Sequence, residues 1–224
     1  MNAAPVLAVD GPGGAGKGTL CRQAAKRLGW HLLDSGALYR LVALAAENED
    51  LKLDDEHGLA ALARDLPARF SGEQVFLGDR DVTEAIRSEA CGDRASRVAA
   101  LPGVRTALVG LQRSFRRPPG LVADGRDMGT VIFPDAELKV FLTASAEERA
   151  LRRYKQLKEK GFDVNLPRLS AEVAARDRRD AERAVAPLRP APDARVVDST
   201  ELSIDEVVEV VLDELKRRRL VPND

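Results

Sequence analysis

The stretch that most restricts this chain runs Gly11-Pro12-Gly13-Gly14-Ala15-Gly16-Lys17-Gly18-Thr19. Before it stands a short apolar run, Val6-Leu7-Ala8-Val9, ending at Asp10, which predicts a fully buried strand of a parallel sheet. After it, Leu20, Ala24 and Leu28 recur at a spacing of four and predict a helix. Glycines between a strand and a helix let successive backbone amides turn toward an anion with no side chain in the way. The helix N-terminus adds partial positive charge, and Lys17 reaches the outer phosphates of a nucleoside triphosphate such as ATP. Residues 11–19 are therefore the candidate ATP-binding set.

The same glycines also satisfy G-x-G-x-x-G through Gly11, Gly13 and Gly16, with Asp34 where a dinucleotide fold places its ribose-binding acid. That alternative implies an NAD-dependent dehydrogenase. Against it stand Lys17-Gly18-Thr19 directly after the last glycine, Arg40 in the helix that follows Asp34-Ser35-Gly36, and basic stretches near the C-terminus with no task in nicotinamide binding. The usual phosphate loop has Ser or Thr directly after its lysine to ligate magnesium. Here Gly18 takes that place and Thr19 comes one later, a form similar to the nucleoside monophosphate kinases. Mg²⁺ is then expected to be held mostly by phosphate oxygens and water, and no protein ligand to the metal is assigned.

Strand and helix patterns alternate along most of the chain. His31 to Asp34 reads as a second strand, followed by a helix from Gly36 through Tyr39, Val42 and Ala46. A helix near 55–64 leads to Arg69-Phe70 and Val75-Phe76-Leu77, which with Ser71-Gly72 and Gly78-Asp79 predict a short hairpin. A helix over 103–116 stops at Pro118-Pro119. Buried strands return at Leu121-Val122-Ala123 and at 138–142, and a last one spans 195–198. Ser145 to Glu148 and Ser203 to Glu206 are capping boxes that open helices. A basic helix covers about 170–185, and Gly161 to Pro167 is a break. The fold class is α/β: a parallel-sheet core covered by helices on both faces, in one domain over 1–224, with an inserted module at 36–95 and a lid at 153–170.

Composition excludes several classes. Formal net charge is -1, so a general nucleic-acid partner is not expected. Arg and Lys nevertheless cluster at 149–160 and 176–183, where a small anion can be held. Cys21 and Cys91 lack neighbours at metal-ligand spacing and read as reduced thiols; His31 and His57 are isolated, so zinc is not expected. No segment approaches the roughly 20 apolar residues of a membrane span. A cytoplasmic monomer with no membrane partner is expected.

Three further segments resemble bacterial cytidylate kinases: Leu33-Asp34-Ser35-Gly36-Ala37-Leu38-Tyr39-Arg40, residues 123–131 (Ala-Asp-Gly-Arg-Asp-Met-Gly-Thr-Val), and Arg183-Ala184-Val185-Ala186-Pro187-Leu188. Order and spacing suit that family over essentially the whole chain. Two features depart from its pattern: the region near 66–82 is short, and Gly13 stands where serine is common. The resemblance implies a P-loop kinase core, an acceptor-binding module and a short lid, with phosphoryl transfer from ATP to CMP and dCMP. It implies that Arg40 and Arg126 grip the acceptor phosphate, that Ser35, Arg105, Asp127 and Arg183 surround the base, and that Ser96, Arg176 and Asp180 contact the sugar. Lys17, Arg126 and Arg153 would act on the transferring group.

Each of these residues has a plainer reading. Asp34 and Asp124 suit helix caps. Arg105 suits a solvated helix charge, as do Arg149, Arg152 and Arg153 taken singly. Arg176 and Arg183, seven apart, suit a solvated face. Lys155 to Lys160 suits the edge of a mobile lid, and Trp30 and Tyr39 suit packing rather than base stacking. A nucleotide-binding switch without catalysis is the non-enzymatic alternative.

Overall fold

In the computed structural model, which describes residues 3–72, 74–159 and 161–221, every residue of β1 (Val6–Asp10) is buried. This strand lies at the centre of a five-stranded sheet in the order β2-β6-β1-β7-β8, with β2 at His31–Asp34, β6 at Leu121–Asp124, β7 at Leu138–Thr143 and β8 at Arg195–Asp198. β1 pairs in parallel with β6 (Val9 opposite Asp124) and with β7 (Asp10 opposite Phe141), and β7 pairs in parallel with β8. Leu7 and Val9 on one face and Val6 and Ala8 on the other are all without solvent exposure, so both faces of the central strand are covered.

Two amphipathic helices build one of these layers. α1 (Lys17–Leu28) buries Leu20, Cys21 and Ala24, and α8 (Ile204–Arg217) buries Val207, Val208, Val211 and Leu215, all in one cluster with Leu7, Val9, Val122 and Leu142. The Ser203 capping box is complete: its hydroxyl accepts from Glu206 N, and the Glu206 carboxylate accepts from Ser203 N. The one expected at Ser145 is half formed. Glu148 N donates to Ser145 Oγ at 3.1 Å, but Ser145 N is taken by Thr200 Oγ1 and the Glu148 carboxylate by Arg152. α6 (Ala146–Glu159) and α7 (Leu166–Ala181) follow, joined by Gly161 in a left-handed conformation. Lys160 of the expected lid lies outside the described residues.

The chain divides into two compact units, with residues 34–114 forming the second. Within it α2 (Ser35–Asn48) packs on α4 (Glu89–Val98), and α3 (Glu56–Arg64) packs on α5 (Pro102–Arg113). The expected hairpin is present as β3 (Ala68–Ser71) and β4 (Gln74–Leu77), extended by a short third strand, β5 (Arg80–Asp81). α4 is absent from the sequence reading because Gly92 and its polar neighbours mask the helical period; Ser88 caps it, accepting from Cys91 N at 3.2 Å.

Candidate phosphate site

The parallel strands deliver their following segments to one end of the sheet, which is where ligands of open α/β sheets are held. After β1 comes the glycine loop. Gly11 must be glycine: a Cβ there would lie 1.9 Å from the Leu142 carbonyl oxygen of β7. Gly14 and Gly16 hold φ of +81° and +94°, and a Cβ on Gly14 would press on Arg149 at 3.2 Å. Gly13 is different, since a Cβ there would stand at ordinary contact, 3.6 Å from both Arg126 Nη2 and Arg176 Nε.

Those two guanidinium groups converge on the loop together with Lys17. Lys17 is buried and donates to the Pro12 carbonyl at 2.9 Å. Burial, helped by the positive charges of Arg126 and Arg176 and opposed by Asp124, lowers its pKa to about 8. Arg126 is held from behind by Asp180 of α7, with Nε to Oδ2 at 3.0 Å. Burial works against the charge of Asp180, but Arg126, Arg176 and Arg183 outweigh it and keep its carboxyl below the usual aspartate range. Beyond α7 the chain folds back: Leu188 N donates to the Asp180 carbonyl, and Arg183 Nη2 donates to the carbonyl of Ala186, which sits at a left-handed φ of 51°. The Arg183–Leu188 segment is thus a built loop beside the cationic group, not a free tail. Arg176 and Arg183 are half-buried, which takes them off the solvated face.

Asp127 closes the segment after β6 and is 3% exposed. Next to it, Met128–Ile132 forms a single π-helical turn, whose first two amides donate to Asp10 at 2.8 Å each. Burial raises the Asp10 pKa to about 6; the two amides pull it down and the Asp127 charge pushes it up. Sequence reasoning took Asp10 only as a strand end. The signal missed was an acid closing an otherwise apolar buried strand, a place where a carboxylate needs amide partners.

In the second unit, Ser35 and Arg105 are buried, at 4% and 5% exposure, so Arg105 is no solvated helix charge. Its guanidinium stands 5.7 Å from the ring centre of the buried Tyr39 and donates to the Ala99 carbonyl. Arg40 donates to the carbonyls of Ile86 and Ser88. Its guanidinium lies against Gly92 of α4, where a Cβ would come within 2.9 Å. Ser96 has a buried hydroxyl without a hydrogen-bond partner among the described residues, the kind of group a bound polar molecule would satisfy. Asp34 caps α2, accepting from Ala37 N at 3.0 Å, as its plainer reading expects. Trp30 packs against Gly120 in the first unit.

The arginines of α6 correct the expectation of surface charge. Arg149 is 5% exposed and forms a two-pronged pair with Asp177 of α7, at 2.9 and 2.6 Å. Arg152 donates to Glu148 and to both oxygens of Ser199. A helix of high charge reads as solvated in sequence, but here its inner face also meets Asp177 of α7 and Ser199, distant partners that no local pattern reveals. Arg153 is half-buried and donates to Gln156 of the same helix at 3.3 Å. Cys21 and Cys91 are buried and form no disulfide among the described residues, and burial pushes the Cys91 thiol up, away from reactivity. No helix among the described residues is long and apolar enough to cross a membrane.

The model of the cytidylate kinase family matches residues 7–217. A cytidylate kinase from Aeromonas hydrophila is 60% identical over 213 residues, covering 93% of this chain and 93% of its own. One from Methylococcus capsulatus is 59% identical over 211 residues, covering 93% of this chain and 95% of its own. Among solved structures, TT1252 from Thermus thermophilus is similar at 21% identity and a TM-score of 0.45, covering 96% of this chain and 99% of that one. The two readings of the glycine pattern are thereby separated in favour of the phosphate loop, and the chain belongs to the cytidylate kinase family.

Proposed function

We propose that the protein transfers the terminal phosphoryl group of ATP to CMP and dCMP, giving ADP with CDP or dCDP. The observation that carries this reading is the convergence of Lys17, Arg126 and Arg176 on one glycine loop. Two polyanions cannot meet end to end without cations between them, and this group supplies the cations. An oxygen of the acceptor phosphate attacks the terminal phosphorus of ATP, and the bond to the bridging oxygen breaks with ADP as leaving group. The acceptor is already anionic near pH 7, so no general base is required, and the catalytic task is positioning and neutralisation.

In this reading residues 11–19 hold the donor phosphates, Lys17 stabilises charge on the leaving oxygen, and Arg126 and Arg153 neutralise the moving group. Arg40 and Arg126 hold the acceptor phosphate. Ser35, Arg105, Asp127 and Arg183 enclose the base, where a carboxylate accepts from the amino group of cytosine and repels the carbonyl of uracil. Ser96, Arg176 and Asp180 contact the sugar. Residues 36–95 act as the acceptor module and 153–170 as the lid, closing to exclude water as a rival acceptor. The residues fit a magnesium ion that keeps phosphate and water oxygens: Asp124 Oδ2 lies 3.5 Å from where a side chain on Gly18 would begin, next to Lys17. Such an ion would offset the charge of the donor phosphates.

ADP release measured with CMP, dCMP, AMP, UMP and no acceptor tests the reading. Release is expected with CMP and dCMP, weakly with UMP, and at background without acceptor. ADP release that ignores the acceptor would point to a switch, and NAD binding without ATP binding to a dehydrogenase; either result overturns the proposal.

A further inference from the structure

An amide cradle works only if the carbonyls of the same loop are turned away from the anion and satisfied elsewhere. Here Lys17 of the loop itself holds the Pro12 carbonyl, and two more are held from outside: Gly13 by Arg149 Nη1 at 3.1 Å and Ala15 by the Ser199 hydroxyl at 3.2 Å. The Arg149 contact differs from the others in where it leads. Its Nε donates to Ala144 at the end of β7, at 3.0 Å, while both Nη atoms engage the Asp177 carboxylate on α7. One guanidinium therefore joins the sheet, the phosphate loop and α7.

α7 is also the helix that carries Arg176 and Asp180, with Arg183 just beyond it. Asp177 adjoins Arg176, and Asp180 lies one turn further on, the residue that holds Arg126 over the loop. Any small rotation of α7 moves these groups relative to Gly13, and the Arg149–Asp177 pair is the fixed link that opposes it. The planar fork of arginine gives this link a defined direction as well as an attraction, which a lysine would not.

We propose that Arg149 and Asp177 are positioning residues that couple the donor-phosphate loop to α7, so that binding of one nucleotide favours binding of the other. The proposal rests on the reading of α7 as part of the acceptor site. Neither residue touches substrate in it; both act through Gly13 and through Arg176 and Asp180.

The test is the dissociation constant of CMP measured by calorimetry, with and without a saturating non-hydrolysable ATP analogue. The wild-type protein is expected to bind CMP about fivefold or more tightly when the analogue is present. In Asp177→Asn, nearly isosteric but without the charge, that ratio is expected to fall to about one, while the constants for each ligand alone stay within about threefold of wild type. Arg149→Lys, which keeps the charge and loses the fork, should behave the same way, and Asp177→Glu should restore part of the ratio. A wild-type ratio near one overturns the proposal. So does a ratio retained in both Asp177→Asn and Arg149→Lys, even if both melt at lower temperature, because the pair is then only a structural staple. Failure of the acceptor-site reading gives a separate signature: Arg126→Ala would leave the CMP constant unchanged.

Discussion

In the proposed function, the glycine loop and the residues 34–114 handle anions in opposite ways. In the loop the anion-binding groups are backbone amides, and side chains such as Arg149 and Ser199 serve by holding the carbonyls behind them. In the second unit the roles are exchanged: backbone carbonyls of Ile86, Ser88 and Ala99 hold side chains, Arg40 and Arg105, which carry the charge. An amide cradle is fixed once the backbone is folded. A guanidinium on a long side chain keeps its position only through what supports it. The first device suits the donor, whose phosphates always take one place, and the second suits an acceptor whose base and phosphate must be gripped separately.

If this contrast is right, the largest loss of rate comes from the one side-chain charge that the loop does present. Lys17→Ala leaves the glycine backbone intact and removes the ammonium at the leaving oxygen. The expected fall in kcat is on the order of 10²–10³-fold, about 3–4 kcal/mol in the barrier. Steady-state assay with CMP and ATP checks it, and near-normal turnover would mean that the amides alone suffice.

The same contrast governs what the sequence could reveal. The loop is legible because its function is local: glycines at fixed offsets, a lysine, a strand before and a helix after, and the structure adds only why Gly11 and Gly14 tolerate nothing larger. The parallel sheet was legible for a similar reason, since uninterrupted apolar runs such as Val6 to Val9 belong to buried strands. Arg126 with Asp180 and Arg149 with Asp177 are pairs set 54 and 28 residues apart, and no periodicity connects them. Ser96 and Arg105 rest on family resemblance and not on any pattern in their own surroundings, whereas Arg40 is also marked by its place in the helix after Asp34-Ser35-Gly36. Asp10 was missed because its partners, the Met128 and Gly129 amides, lie more than a hundred residues away in a π-helical turn that no propensity predicts.

A pair of glycine substitutions gives a smaller effect with a sign opposite to intuition. Gly13 belongs to the loop, yet its added Cβ would find 3.6 Å of room beside Arg126 and Arg176. Gly13→Ala is expected to change KM for ATP by less than about threefold. Gly92 lies in α4, where alanine ordinarily stabilises a helix by about 0.5–1 kcal/mol. Its Cβ would displace the Arg40 guanidinium, which is flexible enough to move at little structural cost. Gly92→Ala should therefore melt no lower than wild type while KM for CMP rises about tenfold at nearly constant kcat, the loss of a charged hydrogen bond to the acceptor phosphate. Equal KM values for CMP in the two variants would remove the distinction between the two devices.

The smallest expected effect is a pH dependence confined to the donor side. Burial holds the Lys17 pKa near 8, below the usual lysine value of 10.5. Its ammonium is therefore about nine-tenths present at pH 7 and is lost in the free protein as pH rises through about 8, so affinity for ATP should weaken there by a few-fold. Folding stability responds with the opposite sign. Between about 8 and 10.5 the unfolded chain keeps a proton that the folded chain has released, and the contribution of Lys17 to stability rises with pH. CMP binding, which does not use Lys17 in this reading, is expected to show no such limb. Titrations of ATP and CMP separately from pH 7 to 9.5 should show the ATP limb alone, and Lys17→Arg should flatten it. A matching limb for CMP would mean that the two anions share the lysine, and that the division between an amide cradle and a guanidinium grip does not hold.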